Sequence, residues 1–228
     1  WQPFVDYLNA GLDGVRVELR ALDDAEVDSA LAHGKLDLLL TNPAHFILLR
    51  ASNPLSGAIA TLVGEENGQA LAEFGGVILV RAADPRIATL ADLAGKRVGT
   101  THANFLGTYP AQAFEMQSAG TSPASLRLLT LGQSQDSVVD AVLGATVDAG
   151  FVRTGLVERL AAEGRDLSAL RVLNPRTLPG YPLRSSTRLY PEWPLVALST
   201  ADQAVLRRIV ALALTLDARR VIRPGLRL

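Results

Sequence analysis

The sequence contains no cysteine. Disulfides, thiol nucleophiles and thiolate-bound zinc are therefore excluded, and the absence suits an oxidising compartment, where a stray thiol is a liability. Histidine is scarce too: the three present, His33, His45 and His102, stand at no metal-ligand spacing from one another, which argues against a zinc site. An excess of either charge is also missing. The 22 Lys and Arg residues are balanced by 23 Asp and Glu, and no stretch gathers the basic run that follows a phosphate backbone, so nucleic acid is not an expected partner. No run approaches the ~20 apolar residues of a membrane span, and no basic segment followed by an apolar core opens the chain. A signal or anchor is expected only outside this sequence. Gly-x-Ser-x-Gly, a P-loop, a Cys/His pair, a metal triad and paired carboxylates in the candidate turns are all lacking. Neither catalytic residues nor a cofactor is expected, and the chain reads as a binding module, not an enzyme.

What is present is ordinary globular material, 228 residues with 48% apolar and 20% charged side chains, enough for a real core. Strand-like and helix-like patterns alternate almost from end to end, the mark of an α/β protein with mainly parallel sheets. Phe4, Val5, Leu8 and Leu12 have helical spacing, and Gly14 can end that helix. Val15 to Leu22 alternates with the two-residue period of a strand, and a helix with an acidic first turn follows up to Gly34. Leu36 to Asn42 predicts a buried strand, and the segment after Pro43 is helical again. AIATLVGEE and FGGVILVRAAD read as two strands flanking the turn ENGQ, the second a crossover between lobes. After Pro85 the βα rhythm restarts and runs to about Arg176, while PLVALST and the helix ADQAVLRRIVALALTL return to the first part. The expected architecture is two lobes, residues 1–83 with 179–228 and residues 84–178, each a mainly parallel sheet flanked by helices, with a cleft between them.

In open α/β sheets ligands collect at the carboxyl ends of strands, where loops and helix N-termini aim backbone N–H groups into a crevice. Four segments stand at such places. Thr41 and Asn42 precede Pro43, with His45 one turn on; they either cap that helix or bind a ligand oxygen. Thr100 to Tyr109 joins a strand to a helix predicted to begin near Asn104, a geometry that favours an anion. Tyr109 faces either ligand or core. Gly132 to Asp136 opens another helix, and there capping accounts for Asp136. Arg153 closes the apolar run Gly150-Phe151-Val152, so its guanidinium needs an acidic partner or a ligand. Ser185, Ser186 and Thr187 lie in the polar, proline-rich return segment and could line the cleft from the hinge side or serve as plain connector.

LDLLLTNPAHF, EFGGVILVRAAD, TLADLAGKRVGT, NFLGTY, VDAGFVRTG and STRLYPEWP together resemble the PhnD-like type 2 periplasmic binding domains, especially the branch that serves bacterial sensor histidine kinases. The resemblance runs in order from Trp1 to about Leu216. It implies a clamp that closes on a small solute. The positions it implies for the cleft are Thr41, Asn42 and His45 from one lobe, Thr101, His102, Asn104, Tyr109 and Arg153 from the other, and Ser185, Ser186 and Thr187 at the return crossing. Members usually open with a strand and loop ahead of the first helix, so part of the cleft is expected upstream of Trp1; the basic tail ARRVIRPGLRL stands where relatives run on.

Three roles share this fold. The first expectation is the extracytoplasmic input domain of a membrane signalling protein, tethered to the inner membrane, partnered by its output domain and compatible with a homodimer. The alternative is the solute-binding component of an ABC importer, whose partner is a permease. The third is the effector domain of a transcription regulator, which would need an upstream DNA-reading module. A small oxyanion or phosphonate-like solute is the expected ligand in the first two.

Overall fold

The computed structural model describes residues 1–53, 55–66, 69–132 and 134–216. In chain order its elements are α1 (Gln2–Gly11), α2 (Asp24–Ala32), β1 (Leu38–Leu40), α3 (Pro43–Ser52), β2 (Leu55–Thr61), β3 (Gly64–Glu66), β4 (Gln69–Leu71), β5 (Glu73–Phe74) and β6 (Gly76–Arg81). They continue with β7 (Arg97–Thr100), α4 (Pro110–Ser118), β8 (Arg127–Thr130), α5 (Gln135–Leu143), β9 (Ala149–Arg153), α6 (Leu156–Ala162), β10 (Leu170–Leu173), β11 (Tyr190–Pro191), β12 (Pro194–Leu198) and α7 (Gln203–Leu214). The tail from Ala218 and the Asn67-Gly68 centre of the expected turn lie outside the described residues.

The chain divides into two compact units: residues 1–41, 45–62 and 193 onward form one, residues 42–44 and 63–192 the other. In the first unit the sheet order is β1-β12-β2. Its core gathers Val27, Leu39, Leu49 and Val196 on one side, and Leu8, Leu12 and Ile209 where α1 and α7 meet. α2 begins as its sequence demands, with a capping box in which the Asp23 side chain accepts from the Glu26 N–H and the Glu26 carboxylate accepts from the Asp23 N–H, both at 2.9 Å. The alternating stretch Val15 to Leu22 forms no strand. The Asn9 side chain bonds both the N–H and the C=O of Val17, at 2.7 and 2.9 Å, and supplies locally what a ladder partner would have supplied.

The second unit is built on a five-stranded sheet of order β10-β6-β9-β7-β8. β6 is buried from Gly76 to Val80 because each face is covered: Val77 and Leu79 pack with Val138, Val157 and Leu160, while Ile78 and Val80 pack with Val98, Met116 and Phe151. The apolar strand that the sequence suggests as a crossover is therefore an interior strand of this unit, and residues 63–83 and 179–192 group with it. The parallel character expected throughout is confined to β7, which runs parallel to β8 and β9. β6 is antiparallel to β9 and β10, and β12 is antiparallel to both of its neighbours, since it brings the chain back alongside strands already laid down.

Where β10 leaves β6, the segment 185–187 takes its place. The Ser186 N–H donates to the Gly76 carbonyl at 2.8 Å, and the hydroxyls of Thr187 and Ser186 accept from the N–H groups of Gly76 and Ile78 at 2.9 and 2.8 Å. Ser186 Oγ donates onward to the Leu173 carbonyl at 2.7 Å, and Ser185 Oγ to the Thr187 carbonyl at 2.8 Å. All three side chains are buried. Their hydroxyls complete the edge of β6, a structural task beside the hinge-side role expected for Ser185, Ser186 and Thr187.

Candidate ligand-binding site

Arg153 is the last residue of β9, and Gly155, left-handed at φ 89°, turns the chain into α6 immediately after it. The Arg153 N–H donates to Gln135 Oε1 at 2.7 Å, its guanidinium lies 4.5 Å from the centre of the Phe74 ring, and Nη2 donates to the Glu192 carboxylate. Its Nε–H is buried and finds no acceptor. Gly107 makes this packing feasible: a Cβ there would come within 3.0 Å of the Phe74 ring and 3.1 Å of Arg153 Cγ. Beside Arg153, the Thr154 hydroxyl oxygen accepts from the Gly75 N–H at 3.1 Å and from the Tyr181 hydroxyl at 2.7 Å. Burial raises the Tyr181 pKa, so the phenol remains a neutral donor.

The turn between β7 and α4 is held by its own hydroxyls. Thr100 Oγ1 donates to the Thr108 carbonyl and Thr108 Oγ1 to the His102 carbonyl, both at 2.6 Å. The His102 ring stacks on Phe105 with centroids 4.1 Å apart. α4 consequently starts at Pro110 and not near Asn104, so no helix N-terminus stands at Asn104. Asn104 is exposed and Thr101 buried. Tyr109 is partly buried and packs beside Phe151 against the core. Asn42 reaches this turn: its Oδ1 accepts from the Ala44 N–H at 3.0 Å, a cap, and from the Leu106 N–H at 3.2 Å.

Asn42, the 101–108 turn and Arg153 thus belong to the second unit, joined through Leu106, Gly107 and Phe74. Thr41 and His45 belong to the first unit, where Thr41 Oγ1 and His45 Nδ1 are 2.9 Å apart and His45 Nδ1 lies 3.5 Å from Asp24 Oδ1. Ser134 caps α5, accepting from the Asp136 N–H at 3.2 Å, and Asp136 pairs with Arg159, the structural task expected of that turn. Phe74, Tyr181 and Glu192 were not singled out from the sequence, and Gln135 only as part of the turn that opens a helix. Only Glu192 left a trace there, as the acidic partner that Arg153 required. Among the described residues there is no cluster of three metal-ligating side chains.

A family model described as the periplasmic substrate-binding protein of phosphonate ABC transporters matches residues 1–225. The chain belongs to this family. It is a family of binding proteins and not of enzymes, and it places the chain among periplasmic solute-binding domains. The chain is 30% identical over 214 residues to the tetrathionate sensor histidine kinase TtrS of Salmonella typhimurium, covering 92% of this chain and 35% of that protein. It therefore spans about a third of the length of this curated relative. Among solved structures, XAC2383 from Xanthomonas citri bound to ATP superimposes with a TM-score of 0.69 at 21% identity, over 92% of this chain and 76% of that one. PhnD1 from Prochlorococcus marinus in complex with methylphosphonate gives 0.65 at 17% identity, over 96% and 78%. These likenesses show the fold, the two-lobed α/β architecture of type 2 periplasmic binding proteins. Among the described residues no helix is long and apolar enough to cross a membrane.

Proposed function

We propose that this chain is the extracytoplasmic input domain of a membrane signalling protein and that it binds a small oxyanion. The observation that carries the ligand class is Arg153, a guanidinium laid on the Phe74 ring, paired with the buried Glu192 and still 34% exposed. A ligand oxygen accepts from the exposed side of that guanidinium in a charge-assisted hydrogen bond, the interaction for which arginine is best suited. Thr101, His102 and Asn104 on the neighbouring turn, with Asn42, furnish further polar groups of the same unit. The signalling role is supported by the similarity to a sensor kinase across nearly the whole of this chain and only part of the relative, the relation expected of an input module. A protein built this way is tethered to the inner membrane and passes ligand occupancy to its output domain. The family model favours a second reading, the solute-binding component of an importer.

A thermal-shift screen tests the proposal, with tetrathionate, methylphosphonate, sulfate, phosphate, carboxylates and amino acids offered to the parent and to Arg153→Ala. An oxyanion at a hundred times its dissociation constant stabilises the parent by about 2.7 kcal/mol and leaves the variant's melting temperature unmoved. Small-angle scattering on the same samples is expected to show the parent becoming more compact with ligand, because ligand contributes contacts that only a closed arrangement satisfies. A shift of equal size in parent and variant would remove Arg153 from the site.

A further inference from the structure

The geometry points to Glu192 as the residue that sets ligand charge: it neutralises Arg153 from the buried side, so the site takes a headgroup with one negative charge and discriminates against two. This inference rests on the reading of Arg153 as a ligand contact. The pair is asymmetric, since the Arg153 side chain is 34% exposed and that of Glu192 only 4%. The cation is open to an incoming ligand, whereas the carboxylate is a permanent part of the wall. Neither group is loosely held. Glu192 is fixed by the short ladder of β11 on β5, which pairs Tyr190 with Phe74 and Pro191 with Glu73, and by its own N–H donating to the Ala72 carbonyl at 2.9 Å. Arg153 is fixed by Phe74, a residue of that same ladder, and by Gln135. The ladder that positions the carboxylate thus also positions the aromatic surface beneath the cation.

A ligand oxygen that takes the open side of Arg153 meets a cation already matched by one anion. The first ligand charge is drawn by directed N–H donors and not by a net positive field. A second charge on the same headgroup gains little, because Glu192 offsets most of the attraction of Arg153, and the larger cost of stripping water from a dianion is left unmatched. Interactions of like charges at such range typically amount to about one pKa unit or more, a factor of about ten in affinity.

Sulfate and methanesulfonate share a tetrahedral sulfonyl headgroup and carry two charges and one, so their affinity ratio, read by isothermal titration calorimetry, isolates the charge term. The parent is expected to prefer methanesulfonate. Glu192→Gln keeps the shape and the acceptor for Arg153, and should move the ratio about tenfold toward sulfate; Glu192→Asp retains the charge and should leave the parent's preference in place. A parent that prefers sulfate overturns the inference whether or not either variant folds, and so does a Glu192→Gln ratio equal to the parent's. Both of those results leave the oxyanion reading standing. A parent that binds neither probe overturns that reading, and the inference with it.

Discussion

At the scale of single residues, Gly76 shows how little room the second unit leaves. A Cβ at this position would lie 2.2 Å from Gln112 Nε2, and Gln112 is fully buried, donating to the carbonyls of Gly107 and Val152 at 2.9 and 3.0 Å. The amide cannot swing aside without orphaning both carbonyls. Gly76→Ala is therefore expected to destabilise the protein by about 1–3 kcal/mol, as overpacking typically does, measured from the midpoint of urea unfolding. In sequence, Gly75-Gly76 is only a small-residue pair ahead of an apolar run. Arg153 was legible because a guanidinium after buried strand residues must find a partner, whereas Glu192 lies 39 residues away and nothing local joins the two. Tyr181 was hidden for the same reason, an ordinary residue of a polar connecting segment that folding alone brings beside Thr154, whereas Gln135 lay in a turn read only as a helix cap.

At the scale of elements, local chemistry was read well and pairing less well. Helices with strong caps stand where their sequences put them, α2 with Asp23 and Glu26 and α7 with Asp202 as cap. α4 was placed too early because the threonines of the preceding turn suggest a cap; in the fold their hydroxyls bond the turn's own carbonyls, and Pro110 takes the first helical turn, where proline is favoured. The mainly parallel sheets expected from βα alternation miss the antiparallel returns, because alternation says nothing about which strands become neighbours. Ser185, Ser186 and Thr187 show a task the sequence did not suggest. A polar run in a connector suggests solvent or ligand, yet here the hydroxyls stand in for a missing strand. Ser186→Ala would leave the Ile78 N–H and the Leu173 carbonyl without their partner in a buried setting, a loss of about 2 kcal/mol expected in chemical denaturation. A ligand-contacting serine would instead lower affinity and spare stability.

At the scale of the whole molecule, stability in acid depends on a few carboxylates bound to arginines. Hydrogen bonds from Arg97, with the nearby charge of Arg81, lower the Asp148 pKa to about 2. Asp84, bonded by Arg86 and close to Arg81, lies well below the usual carboxylate range. Burial pushes Glu115 upward, but the N–H and guanidinium of Arg188 and the charge of Arg176 outweigh it, so its pKa is lowered as well. Each of these groups is more acidic folded than unfolded. The unfolded chain therefore takes up protons first as the pH falls, and the stabilisation, complete above pH ~5, is lost as pH falls through the lowered values. Urea midpoints are expected to drop between pH ~5 and ~2, and Asp148→Asn to lower the neutral-pH midpoint and flatten that slope.

The replacement of β10 by residues 185–187 along β6 also sets an order of events during synthesis. The partners of Gly76 and Ile78 are 111 and 108 residues further along the chain, so this central strand cannot be completed until nearly all of the second unit has been made. Closing so long a loop delays the contact that rewards it. Nascent chains arrested with residue 184 just outside the ribosome should remain open to protease within the second unit, while chains extended past residue 192 should become protected. Translation thus delivers the seal last.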